Sequence, residues 1–300
     1  MFVRNVVATL SLLINGFAQA QTPLTQSLSF DVLVEAGIRF RQDQIDWNIG
    51  NLPTDILSEL DYKDIKISQP VFAVSVLGPY NIVVKGQYAD GDINTGLVYD
   101  YDYNGSRSDI YLLSKNSLKG NVTDLNLQIS KGFFLNNLSL SVDLGWSEYK
   151  QKLNSFDGFQ LIPNYGAFNG LDNHYDVMWQ GKFLGTTLGF DITKKWYVDL
   201  GLRYHFFEYK AVADWNLRKE FAHPLSFEHL INAEAWEGSL AVLYKFNKYY
   251  ALKLFYNNLL AKGENGTDLT YFNNNSVGTY FLNEVNWQSK QYGVGLSYKF

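Results

Sequence analysis

The chain has 300 residues, with 25 Lys and Arg against 30 Asp and Glu, a formal net charge of −5 and no cysteine. So modest an acidic balance, with no basic block, excludes a nucleic-acid-binding surface, and the lack of cysteine excludes a disulfide framework. Aromatic residues form 16% of the chain although mean hydropathy is slightly negative. Strands with one lipid-facing side produce both, because alternation halves the apparent hydropathy while aromatic girdles raise the ring count.

Export chemistry opens the chain. Arg4 supplies a positive start, Val6 to Ile14 an apolar stretch, and Ala18-Gln19-Ala20 a small-residue cleavage pattern. Residues 1–20 therefore read as a signal peptide, too short to span a bilayer, and 21–300 as one mature β-barrel domain. From there period-two alternation recurs. Val32, Val34, Ala36, Ile38 and Phe40 share one face of the first strand, opposite Asp31, Glu35, Arg39 and Arg41. A lipid-facing stripe backed by charge is the pattern of a strand between hydrocarbon and a wet lumen.

The same pattern returns in Leu138 to Trp146, Trp196 to Phe206, Trp236 to Tyr244 and Tyr250 to Tyr256. In the last strand Tyr292, Val294, Leu296, Tyr298 and Phe300 alternate with Gly293, Gly295, Ser297 and Lys299, as in the closing strand of an outer-membrane barrel. Short turn signals at Gly78-Pro79-Tyr80-Asn81, Leu135-Asn136-Asn137, 191–195 and Asn247-Lys248 suit periplasmic turns. Longer polar stretches at 43–56, 91–120, 152–174, 218–230 and 261–284 suit external loops. Four short and five long connections predict ten strands, near 27–42, 57–77, 81–91, 121–134, 138–151, 174–190, 196–216, 230–246, 249–260 and 285–300.

The fold class is thus all-β, a transmembrane antiparallel β-barrel of about ten strands. Closure follows from physics, since unpaired backbone amides facing hydrocarbon cost several kcal/mol each. Ten strands leave a narrow lumen, which Asp31, Glu35, Arg39, Arg41, Arg203 and Lys253 can cross as ion pairs while water or small ions still pass. A wide general porin is disfavoured.

Candidate chemistry concentrates in Tyr99-Asp100-Tyr101-Asp102-Tyr103, where two carboxylates fall on one face of an extended chain. Like-charge repulsion there raises one pKa and lets the pair hold a water. An exposed triplet with a sticky tyrosine rim fits the same residues. Four scattered histidines show no metal-ligand spacing, and neither a serine-nucleophile motif nor a phosphate-binding glycine loop occurs. No cofactor and no metal are expected.

The order of features resembles the omptin family, the ten-stranded outer-membrane aspartic-type peptidases. Ser58-Glu59-Leu60-Asp61-Tyr62 is similar to the family's Ser-Gln-Leu-Asp-Trp, Asp100-Tyr101-Asp102 stands where omptins carry Asp-x-Asp, and Thr123-Asp124-Leu125-Asn126-Leu127 with Lys131-Gly132-Phe133 matches the next strand. A second resemblance, favoured here, is to the Protochlamydia outer membrane protein group. It is carried by Ile56-Leu57-Ser58-Glu59-Leu60 and Ala213-Asp214-Trp215-Asn216-Leu217-Arg218.

The omptin resemblance implies catalytic positions at Asp100, Asp102 and Asp214, with an Asp-x-His on the seventh strand activating water. In this chain that triplet is Asp214-Trp215-Asn216, and an amide cannot accept a proton as imidazole does. Gln42 stands where the family's acidic substrate-gripping residue belongs. His174, His223 and His229 are candidates for a relocated base on the outer rim, while His205 sits among lumen residues.

Three readings stay open: a non-proteolytic narrow pore or surface protein, a peptidase with altered residues, and an adhesin or receptor using the loops at 152–174 and 261–284. The expected partners are outer-membrane lipid and lipopolysaccharide, the barrel-assembly machinery, and a small solute, peptide or surface partner.

Overall fold

A computed structural model describes residues 30–300. The expected signal peptide, Met1 to Ala20, lies outside the described residues. Alternating apolar residues build β1 (Asp31–Gly50), β2 (Ser58–Leu77), β3 (Ile82–Tyr103), β4 (Ile110–Leu135), β5 (Leu138–Ile162), β7 (Asn173–Asp191), β8 (Trp196–Asp214), β9 (Phe227–Lys245), β10 (Tyr250–Tyr271) and β11 (Val277–Lys299). These ten antiparallel strands pair in sequence. The ring closes where β1 meets β11, with Leu33 opposite Lys299 and Gly50 opposite Phe281. A short β6 (Gly166–Phe168) lies alongside β5 and takes no part in closure.

The tight turns fall where expected. Asn136 adopts φ 54° between β4 and β5, and Tyr80 and Asn81 adopt φ 60° and 58° between β2 and β3. Asparagine tolerates this left-handed backbone better than most residues. At the opposite end the strands run well past their expected limits. β4 has 26 residues and β7 has 19, whereas a tilted strand crosses hydrocarbon in about 9–11. Much of the stretches expected as loops at 43–56, 91–120, 152–174 and 261–284 is therefore strand, and the outer connections shrink to 51–57, 104–109, 163–172, 215–226 and 272–276.

A change of polarity along each strand causes that difference. In the lower half the outward side chains are apolar and exposed, among them Phe72, Val84, Leu127, Leu144, Leu184, Leu200, Leu254 and Leu296. Inward-facing charge meets charge there. Lys253 bonds both Glu35 oxygens at 3.1 Å, and Arg203 stands 3.4 Å from Glu237. Above this belt the outward positions become Gln44, Asp46, Lys262 and Glu264, and the inward ones become apolar. Ile45, Trp47, Leu60, Tyr62, Tyr175, Trp179, Tyr209 and Trp287 form one continuous buried cluster inside the ring.

Between the two regimes lies a polar layer. Arg39 and Arg41 both pair with Asp124, and Arg41 also holds Asp43, all nearly sealed from solvent. Asp43 further accepts the Trp287 indole N–H at 3.0 Å and a Gln151 amide N–H at 3.0 Å. Every charge in this layer has a partner, as burial at low dielectric demands. Close approach helps to fill the lumen. A Cβ on Gly145 would fall 2.2 Å from the Phe183 ring, so glycine there leaves room for that ring.

Candidate functional site

The outer mouth of the ring narrows to a cleft of about 110 Å³ lined by Trp47, Leu60, Asp100, Asp102, Trp215, Arg218, Phe221, Phe227, Asp268 and Thr270. β3 supplies the two carboxylates. Its inward positions are Val98, Asp100 and Asp102, while Tyr99, Tyr101 and Tyr103 stack along the outer wall at 6.4 and 6.3 Å. The spacing of two thus places both acids on one side of the strand, as their sequence suggested.

Asp100 and Asp102 each meet a residue from the end of β8 or the connection after it. The Trp215 indole N–H points to Asp100 Oδ2 at 3.4 Å. Arg218 Nη1 stands 3.3 Å from Asp102 Oδ2, while its Nε donates to Glu220 Oε1 at 2.5 Å and its guanidinium lies 5.2 Å from the Phe221 ring centre. Burial, followed by the charge of Asp102, pushes Asp100 up to about 7, against the opposing pull of Arg218 and the indole N–H. Near neutral pH the cleft therefore both gives and takes a proton.

Asp214 faces the other way. Ala211, Ala213 and Trp215 are the inward residues here, so Asp214 and Asn216 share the outer face. Asp214 pairs with His223 Nδ1 at 2.5 Å. Asn216 accepts the Asp172 backbone N–H at 3.0 Å and donates to the Gly170 carbonyl at 2.6 Å, joining two outer connections. The structure brings Asp100 and Asp102 together and leaves Asp214 apart. Gln42 is exposed on the outer wall near Asp64, away from the cleft.

The histidines divide in the same way. His174 lies outside, 2.9 Å from Asn154. His205 is interior, 3.0 Å from Glu237 and 3.2 Å from Ser147. His229 is fully buried beneath the cleft, where its Nε2–H meets Asp268 Oδ2 at 3.0 Å. Its Nδ1 is left to accept the Tyr175 hydroxyl at 2.8 Å, and Tyr175 contacts the Tyr209 hydroxyl at 2.5 Å. Trp47, Phe227 and Tyr175 rings pack against that imidazole with centroids 4.6 to 5.8 Å away.

Trp215, Arg218 and Asp268 escaped the sequence reading. Asp268 lies in a stretch rich in Gly, Asn and Thr that resembles a loop. The alternation of inward Asp268 and Thr270 with outward Leu269 and Tyr271 was the available signal.

A second cavity of about 180 Å³ occupies the lower lumen, lined by Glu35, Lys85, Asp199, Arg203, Glu237 and Lys253 among others. The Arg39–Asp124–Arg41 layer and the aromatic cluster above it separate this vestibule from the outer cleft.

Over residues 34–300 the sequence matches the Protochlamydia outer membrane protein family. The chain belongs to that family. This member is an integral β-barrel of the bacterial outer membrane, in a lipid and lipopolysaccharide environment. Its fold is omptin-like. The outer membrane protease OmpT from Escherichia coli superimposes with a TM-score of 0.79 at 13% identity, over 92% of this chain and 100% of that one. OprG from Pseudomonas aeruginosa aligns at a TM-score of 0.35 and 11% identity over 91% and 97% of the two chains. The NalP translocator domain from Neisseria meningitidis gives 0.41 and 12% over 99% and 98%. No curated protein sequence matches this Protochlamydia outer membrane protein family member.

Proposed function

We propose that the protein is a closed, non-proteolytic barrel that acts at the cell surface and conducts no solute. The observation that carries this reading is the dry filling of the outer lumen, where Ile45, Tyr62, Trp179 and Trp287 are each at most 1% exposed. An ion crossing this layer would lose its hydration with no charged group to replace it, a cost of many kcal/mol. Reconstituted into planar bilayers, the purified barrel is expected to give no conductance steps. Regular ohmic steps from the folded barrel would overturn the reading.

The peptidase reading draws on Asp100, Asp102 and the Asp268–His229 pair. Against it, the cleft holds the Trp215 indole beside Asp100, and the His229 imidazole is sealed below aromatic rings, with no path for a substrate carbonyl. Purified barrel in lipopolysaccharide is expected to cleave a peptide library no faster than the variant carrying Asp100→Asn with Asp102→Asn. Cleavage lost in that variant would restore the catalytic roles of these residues. Adhesion by long loops draws little support, because the outer connections are short. Insertion by the barrel-assembly machinery is part of the same proposal, in keeping with a ring of antiparallel strands closed between β1 and β11.

A further inference from the structure

The outer cleft has a donor that neither ring closure nor the acidic pair employs. Trp47 lines this cleft at 2% exposure, and its indole N–H has no hydrogen-bond partner. Buried donors are nearly always paired, so an unpaired one beside an outward-opening cleft points to an acceptor supplied from outside. Charge limits what that acceptor can belong to. Asp102 and Asp268 disfavour an anion. A cation finds Asp102 already matched by Arg218, and both Asp268 oxygens already accepting, Oδ2 from His229 and Oδ1 from Thr270. What remains open is one N–H donor, the spare lone pairs of the carboxylates, and the apolar faces of Trp215, Phe221 and Phe227.

A neutral molecule with several hydroxyl groups and a C–H face satisfies all three. Its hydroxyl oxygen accepts from Trp47, its O–H groups donate to Asp102 and Asp268, and its C–H bonds pack on the rings. We propose that the outer cleft is a binding site for a neutral sugar, the end residue of a glycan. Pockets for drug-sized ligands measure about 300–1,000 Å³. A cleft of about 110 Å³ that opens outward admits one edge of a single sugar ring and not an extended peptide. The proposal rests on the reading of the protein as a non-proteolytic surface barrel.

Saturation-transfer NMR tests it, on the full barrel in a detergent without a sugar headgroup, with the methyl glycosides of glucose, galactose, mannose and N-acetylglucosamine as probes. At least one glycoside is expected to show transfer at millimolar concentration. Trp47→Phe, which keeps a ring and removes the N–H, is expected to weaken binding about tenfold. Asp102→Asn provides a second variant should the first fail to fold. Absence of transfer from all four probes, or equal transfer in wild type and both folded variants, overturns the inference. Because conductance and peptide cleavage are measured separately, a negative sugar result beside a silent, uncleaving barrel rejects this site alone.

Discussion

Asp100 is the residue whose environment departs most usefully from that of a free side chain. A free aspartate titrates near 3.9, whereas burial and the neighbouring Asp102 hold Asp100 at about 7 in the folded barrel. Between those values the folded state binds a proton that the unfolded chain has released. Folding is therefore favoured most on the acid side, and stability falls as pH rises through about 7. Asp100→Asn keeps the shape and removes the charge. It is expected to raise the thermal midpoint near pH 8, by about 1–3 kcal/mol of stability, and to leave it unchanged near pH 4. Melting followed by circular dichroism at both pH values checks this. A variant with the wild-type pH slope would show that Asp100 is ionised throughout. Asp124 illustrates a different demand: it pairs with Arg39 and Arg41 at once, Asp43 supplies the second negative charge, and the interior carries its charges in closed groups.

Strand β8 decides what its end can do, because one residue of register moves every side chain to the opposite face. Trp215 points inward with Ala211 and Ala213, and Asp214 and Asn216, the two ends of the triplet that resembles the omptin Asp-x-His, are left on the outer wall. Restoring the family's histidine as Asn216→His is accordingly expected to create no peptide cleavage, since residue 216 faces away from Asp100. Cleavage by that variant, abolished by Asp100→Asn, would contradict the register. The lower strands were readable because lipid outside and charge inside give strong period-two contrast, as in Val32 to Phe40 or Trp196 to Phe206. Their outer continuations were not. In β10, Asn265 takes φ 61° and the pairing with β9 shifts between Gly263 and Thr267, so the sequence there has the composition of a turn within a continuous strand. The acid pair was visible from its spacing alone. Arg218 was not assignable to the cleft, since its partner Asp102 is distant in sequence and meets it only through ring closure; His229 was legible as a candidate rim base, but its pairing with Asp268 depends on the β9–β10 register.

The barrel combines two kinds of interior. Hydrocarbon surrounds the lower half and salt bridges cross its lumen, whereas water surrounds the upper half and aromatic and aliphatic side chains fill it. Ring closure satisfies the backbone in both, which lets one set of strands serve opposite solvents. The consequence is a surface-presented mouth on a sealed base. Its most direct test is an accessibility scan with single spin-labelled cysteines along β10, from Leu252 to Asp268, in lipid vesicles. Outward Leu252, Leu254 and Leu260 are expected to meet lipid-soluble oxygen, outward Lys262 and Glu264 the aqueous nickel reagent, and inward Leu259 and Ala261 neither. Aqueous accessibility at Leu259 and Ala261, or lipid accessibility continuing through Lys262 and Glu264, would contradict the account.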